Sequence, residues 1–170
     1  AKHLTLEIKP NRVAESYYNQ SIAITLTRSG NWSEAQSFKV TCTDSTGQPS
    51  VETRVALPEI INILSGQSAA ISYLTLTNNN VLDADTLIHF KVEPINTASG
   101  YAAVEADLII EDDEYPTLTL VSSKSEVTEG ETFRLTVTTE RASTEPITVT
   151  LTSENNKRFT YPSSITIPAG

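Results

Sequence analysis

The densest chemistry in the chain is the run Glu111-Asp112-Asp113-Glu114. Adjacent carboxylates repel one another unless solvent or a cation screens them. Ca²⁺ takes about six to eight oxygen ligands, often from such loops. A solvated acidic linker is the alternative reading of the same run. Glu15 alone would be an ordinary surface acid. Asp83-Ala84-Asp85 lacks the glycine and distal Glu of an EF-hand loop and reads as a turn. Asn78-Asn79-Asn80 is also turn chemistry, since Asn tolerates left-handed backbone. Trp32, in Ser29-Gly30-Asn31-Trp32-Ser33, falls in a loop. There an exposed ring could stack on a sugar or anchor a partner, with Tyr17 and Tyr18 as companions; a ring tucked over the core edge is the alternative. Asn19-Gln20-Ser21 and Asn31-Trp32-Ser33 match the N-glycosylation sequon, which matters only in a eukaryotic secretory route.

Catalysis finds little support. The histidines are His3, near the terminus, and His89, within a strand pattern. There is no Gly-x-Ser-x-Gly elbow, no glycine-rich phosphate loop and no His/Cys set with zinc spacing. Paired carboxylates could serve a glycosidase, but any acidic chain offers such pairs. The chain is expected not to be an enzyme.

The elements that position these residues follow from composition and periodicity. The 170 residues suit one large domain or one and a half sandwich modules. Thr occurs 24 times, and with Val, Ile and Tyr it fits the pleated surface of a sheet. A net charge of −9 and a pI near 4.6 argue against a nucleic-acid partner, which needs clustered Lys and Arg. Cys42 is the one cysteine, so no intrachain disulfide forms. It shares the parity of Phe38 and Val40, which predicts an inert core thiol. No apolar run approaches the ~18 residues needed to span a membrane, and no signal peptide is visible. The chain contains no Met and begins Ala1-Lys2, which suggests a mature or excised piece of a larger protein.

The chain also repeats itself. Leu4-Thr5-Leu6 and Val13-Ala14-Glu15 recur 114 residues later as Leu118-Thr119-Leu120 and Val127-Thr128-Glu129. Ile22–Leu26 matches Phe133–Val137 at an offset of 111, and Phe38–Cys42 matches Ile147–Leu151 at 109. Pro58, Ile61, Ile63 and Gly66 match Pro162, Ile165, Ile167 and Gly170 at 104. Each block alternates apolar and polar residues, the strand signature. Ala70–Leu76, Leu87–Val92 and Val104–Ile110 add further strands to the first repeat. About seven short strands separated by turns predict an antiparallel sandwich. No helix is expected, and Leu82–Asp85 reads as a brief turn. The last three strands of the first repeat have no counterpart in the second, which predicts open strand edges there and self-association through them.

These blocks resemble the Calx-β domain, a seven-stranded immunoglobulin-like repeat found in sodium–calcium exchangers, integrin β4 and bacterial surface proteins. The match is carried by Val127-Thr128-Glu129-Gly130 with its weaker copy Val13-Ala14-Glu15, and by Ile165–Gly170 echoed in Ile61–Gly66. A third block is the closing Leu108-Ile109-Ile110-Glu111-Asp112-Asp113 before Pro116. The resemblance implies an all-β tandem: a complete sandwich over residues 1–115 and a partial repeat over 116–170, ending after its fourth strand. In calcium-binding members the metal lies at one end of the sandwich, near the junction with the next domain. Carried over, its ligands are Glu15, Glu111, Asp112 and Asp113, with Asp44, Asn78, Asp83 and Asp85 as weaker positions. Asp44 stands near the family's Asp after the third strand, although an ungapped match falls on Thr46. Asn78-Asn79-Asn80 stands where the family has an acidic cluster, which keeps oxygen ligands but loses charge. The family also includes members that bind no calcium. The expected role is a non-enzymatic extracellular or cell-surface module, a spacer or adhesion element bound and stiffened by Ca²⁺ at the inter-repeat junction. The alternatives are a metal-free recognition domain for a surface glycan or protein, using Trp32, Tyr17 and Tyr18, and a passive sandwich carrying another domain.

Overall fold

The computed structural model describes residues 1–17, 21–154 and 158–170. The described chain is strand and loop, apart from one 3-10 turn at Thr97–Ser99. It divides into two compact units, Ala1–Asn79 with Asp85–Asp113, and Asn80–Ala84 with Glu114–Gly170.

The first unit holds β1 (Leu4–Lys9), β2 (Arg12–Ala14), β3 (Ser21–Arg28), β4 (Gln36–Thr43), β5 (Ile60–Ile63), β6 (Ala69–Thr75), β7 (Thr86–Pro94) and β8 (Val104–Glu111). These form two sheets, ordered β1-β3-β6 and β2-β8-β7-β4-β5. The sheets enclose one apolar core, so the unit is an immunoglobulin-like β-sandwich. The alternation read from the sequence is what closes it. In β3, Ile22, Ile24 and Leu26 are buried, and Phe90, Ile88 and Val92 of β7 meet them from the other sheet. Each such side chain contributes about 1.5–3 kcal/mol by leaving water.

Two features differ from the expectation of seven antiparallel strands. The first strand is split at Pro10-Asn11, so eight segments form. Lys9 still pairs with Ala23 in one sheet, whereas Arg12 pairs with Ile109 in the other. Pro10 has no N–H to give to a ladder, so the crossing falls there. Because the chain changes sheet without reversing, β2 runs parallel to β8.

The second unit holds β9 (Leu118–Ser122), β10 (Leu135–Thr139), β11 (Ile147–Thr150) and β12 (Ser164–Ile167). They form two antiparallel pairs, β9–β10 and β11–β12. The repeat survives in the pairing. Leu6 faces Leu26 in the first unit, and their matches Leu120 and Val137 face each other in the second. The β4 match needs correction by two residues. Phe38 faces Ile61, and Ile165 is faced by Val149, so Phe38 corresponds to Val149 at an offset of 111 rather than to Ile147. A two-residue slip leaves the inward parity unchanged, which is why the alternation could not reveal it. The core cluster is built from first-unit residues, while Leu118, Leu120, Val121 and Leu135 stay exposed.

Candidate metal centre at the end of the first unit

Strand parity explains how acidic groups reach one end of the core. Val13 faces inward in β2, and the next residue of the same parity is Glu15. Leu108 and Ile110 face inward in β8, and the next residue of their parity is Asp112. The parallel register extends one step past β2, where Glu15 N donates to Glu111 O at 2.9 Å. This brings Glu15 beside Asp112, and one carboxylate oxygen of each lies within 4.8 Å of the other. Two ligands on one Ca²⁺, each at about 2.3–2.6 Å, are separated by no more than about this distance.

Glu15 is fully buried, with 0% exposure, and a carboxylate in that position needs a partner. Arg54 supplies it: its Nη1 contacts Glu15 Oε1. Glu52 holds the same guanidinium through two bonds, Nε to Oε1 at 2.7 Å and Nη2 to Oε2 at 2.6 Å. Nη2 also donates to Thr86 Oγ1 at 2.8 Å. The other Glu15 oxygen, Oε2, accepts from Asn79 N at 3.4 Å. Around this centre, Asp112 N donates to Asp85 Oδ1 at 3.1 Å, and Ser16 N donates to Asp113 Oδ2 at 3.1 Å. Arg12 contacts Glu111 and lies 3.7 Å from Asp85. Formally, Glu15, Glu52 and Asp112 against Arg54 leave two negative charges. The donors are oxygens, as a hard cation requires, so the residues fit Ca²⁺ in kind.

The structure thus joins Glu15, Asp112, Asp113, Asp85 and Glu111 through direct contacts or shared partners at this end. Asn78 is exposed just before Asn79, whose backbone reaches Glu15. Asp44 is used locally: its Oδ1 accepts from Thr46 N, Thr46 Oγ1 and Gln48 N at 2.8, 2.6 and 3.1 Å. Those bonds, led by the Thr46 hydroxyl, hold its carboxyl below the usual range. Asp83 is half-buried in the second unit, and Glu114 is buried there with Arg141 at 3.3 Å. Arg54 and Glu52 were not singled out from the sequence. They lie in an irregular segment without periodicity, so no strand pattern pointed to them.

The aromatic candidates separate. Trp32 is 45% exposed, while Tyr17 is half-buried and packs against the core. Tyr18 lies outside the described residues, as does most of the first sequon. The Trp32 loop is held from below by Arg28, which continues the inward parity of β3 and is 2% exposed. Its guanidinium donates to the carbonyls of Gln67, Glu34, Trp32 and Leu64 at 2.9, 2.7, 3.2 and 3.0 Å. Cys42 packs partly buried against the core, and burial pushes its thiol up to about 11, so it stays protonated.

The fold is shared with solved structures. The apo form of the Calx CBD1 domain is 18% identical, with a TM-score of 0.50, and the match covers 66% of this chain and 98% of that one. The calcium binding domain CBD12 of CALX1.1 is 17% identical with a TM-score of 0.50, over 97% of this chain and 71% of that one. CBD12 from CALX1.2 matches at 17% identity and a TM-score of 0.50, over 99% and 70%. At these identities the likeness concerns the fold. No protein-family model and no curated protein sequence matches the chain. Among the described residues, no helix is long and apolar enough to cross a membrane.

Proposed function

We propose that the first unit is a Ca²⁺-binding β-sandwich module that serves as a spacer within a surface protein and has no catalytic role of its own. The observation that carries this reading is the approach of Glu15 and Asp112 to within 4.8 Å at one end of the sandwich. Support comes from the sequence resemblance to Calx-β repeats, and from the fold shared with a domain described as calcium binding. Glu15 and Asp112 would hold the ion, with Asp85 and Asp113 on the backbone amides that shape the site. A bound cation would neutralise carboxylates that β2 and β8 force together, and so stabilise the strand ends. The surface location rests on the family resemblance alone. Calorimetric titration of the whole chain with Ca²⁺, beside Asp112→Asn, tests the binding. Saturable heat in the wild type that is lost in the variant supports it; an absence of heat from folded wild-type protein contradicts it.

A further inference from the structure

Arg54 is the group that the acidic end already contains to balance its charge. It is 9% exposed, and it reaches Glu15, Glu52 and Thr86 at once. Its backbone is fixed as well: Arg54 N donates to Glu52 Oε1 at 2.7 Å, and its carbonyl accepts from Thr77 N at 2.9 Å. Yet residues 51–59 form no strand, so no sheet ladder would have to break for the side chain to swing away.

A guanidinium hydrogen on Glu15 Oε1 occupies lone-pair density that a metal would use. Two positive groups also cannot share one buried carboxylate without strong repulsion. We infer that Arg54 is a built-in counter-cation that competes with Ca²⁺ for Glu15. The site then has two arrangements. In one, Arg54 closes on Glu15 and the sandwich end is stable without metal. In the other, Arg54 has withdrawn towards Glu52 and Thr86, and Glu15 and Asp112 are both open to the ion. Ca²⁺ binds the second arrangement only, so its apparent affinity falls with the fraction of molecules in which Arg54 is withdrawn. This regulation rests on the cation reading above.

The test is Ca²⁺ titration by calorimetry on wild type, Arg54→Gln and Arg54→Lys, each shown to be folded. Competition predicts affinity at least about tenfold tighter for Arg54→Gln. Arg54→Lys keeps the charge but loses the planar fork, and is expected to fall between the two. The lysine variant decides the matter if the glutamine variant does not fold: affinity above wild type supports competition, and affinity equal to or below it overturns it. Equal affinities in wild type and Arg54→Gln would overturn the competition while leaving the metal site standing. Binding in Arg54→Gln but not in wild type would uphold the competition and remove Ca²⁺ binding from the native chain. No binding in any folded variant would overturn both.

Discussion

Arg54 closes an ion pair on Glu15 with both side chains withdrawn from water, at 9% and 0% exposure. The pair ties the irregular segment after β4 to the end of β2. Breaking such a pair from one side strands a buried charge, and this costs about 3–5 kcal/mol. Arg54→Met, which leaves the buried Glu15 without its cation, is therefore expected to lower the stability of the first unit by about that much, and Glu15→Leu, which leaves Arg54 on Glu52, by less. Glu15→Leu/Arg54→Met should lose less than the sum of the two single changes, because neither charge is then left facing a missing partner. Urea unfolding followed by Trp32 fluorescence reads this unit alone, since Trp32 is the one tryptophan in the chain. Additive losses would show that the contact carries no coupling.

Arg28 poses a different case, a buried cation satisfied by carbonyls rather than by a carboxylate. Arg28→Met leaves the carbonyls of Trp32, Glu34, Leu64 and Gln67 without their donor. Hydrogen bonds to charged groups are worth about 1.5–3 kcal/mol each, and water reclaims part of the loss, so a cost of about 3 kcal/mol or more is expected. Trp32 emission should shift to the red as its loop loosens. Arg28→Lys has fewer donors and no fork, and should recover only part of the stability. A Met variant as stable as wild type, with unchanged emission, would mean the loop is held by other contacts.

His89 gives the fold a pH response on its outer face. Its Nδ1 lies 2.5 Å from Asp107 Oδ1, and its Nε2 lies 3.5 Å from Glu105 Oε1. The hydrogen bond to Asp107 is the largest effect and raises the imidazole above its ordinary value; burial opposes it, and Glu105 adds a smaller rise. A folded value raised above the unfolded one means that the protonated form favours the native state. This contribution is complete below about pH 6.5, the unperturbed value, and is lost as pH rises through the raised one. NMR titration should show the raised His89 value, and Asp107→Asn should bring it down. A His89 value unmoved by Asp107→Asn would contradict the assignment.

The alternation in the chain made the sandwich legible, because inward Ile22, Ile24 and Leu26 can only be covered by a second sheet. The split of the first strand was half legible: the inward residues Leu4, Leu6 and Ile8 fall on even positions and Val13 on an odd one, so the alternation breaks near Pro10, but nothing in the pattern showed that the chain changes sheet there. The site was half legible. Glu111, Asp112 and Asp113 stood out together as a charge run, but counting parity past Ile110 selects Asp112 as the inward one. The same count past Val13 selects Glu15. Arg54 was invisible for the opposite reason: it lies where there is no period to count, and its role comes from a partner distant in sequence. Arg28 could have been found, since an arginine at the inward parity of β3 must meet acceptors at the end of the core.

The measurement that bears most directly on the account is a Ca²⁺ titration followed by amide NMR. Saturable shifts concentrated at Glu15, Ser16, Asn79 and Asp112, and abolished by Asp112→Asn, are predicted. The absence of shifts in folded protein up to millimolar Ca²⁺, or shifts spread evenly over the acidic surface, would contradict a metal centre at Glu15 and Asp112.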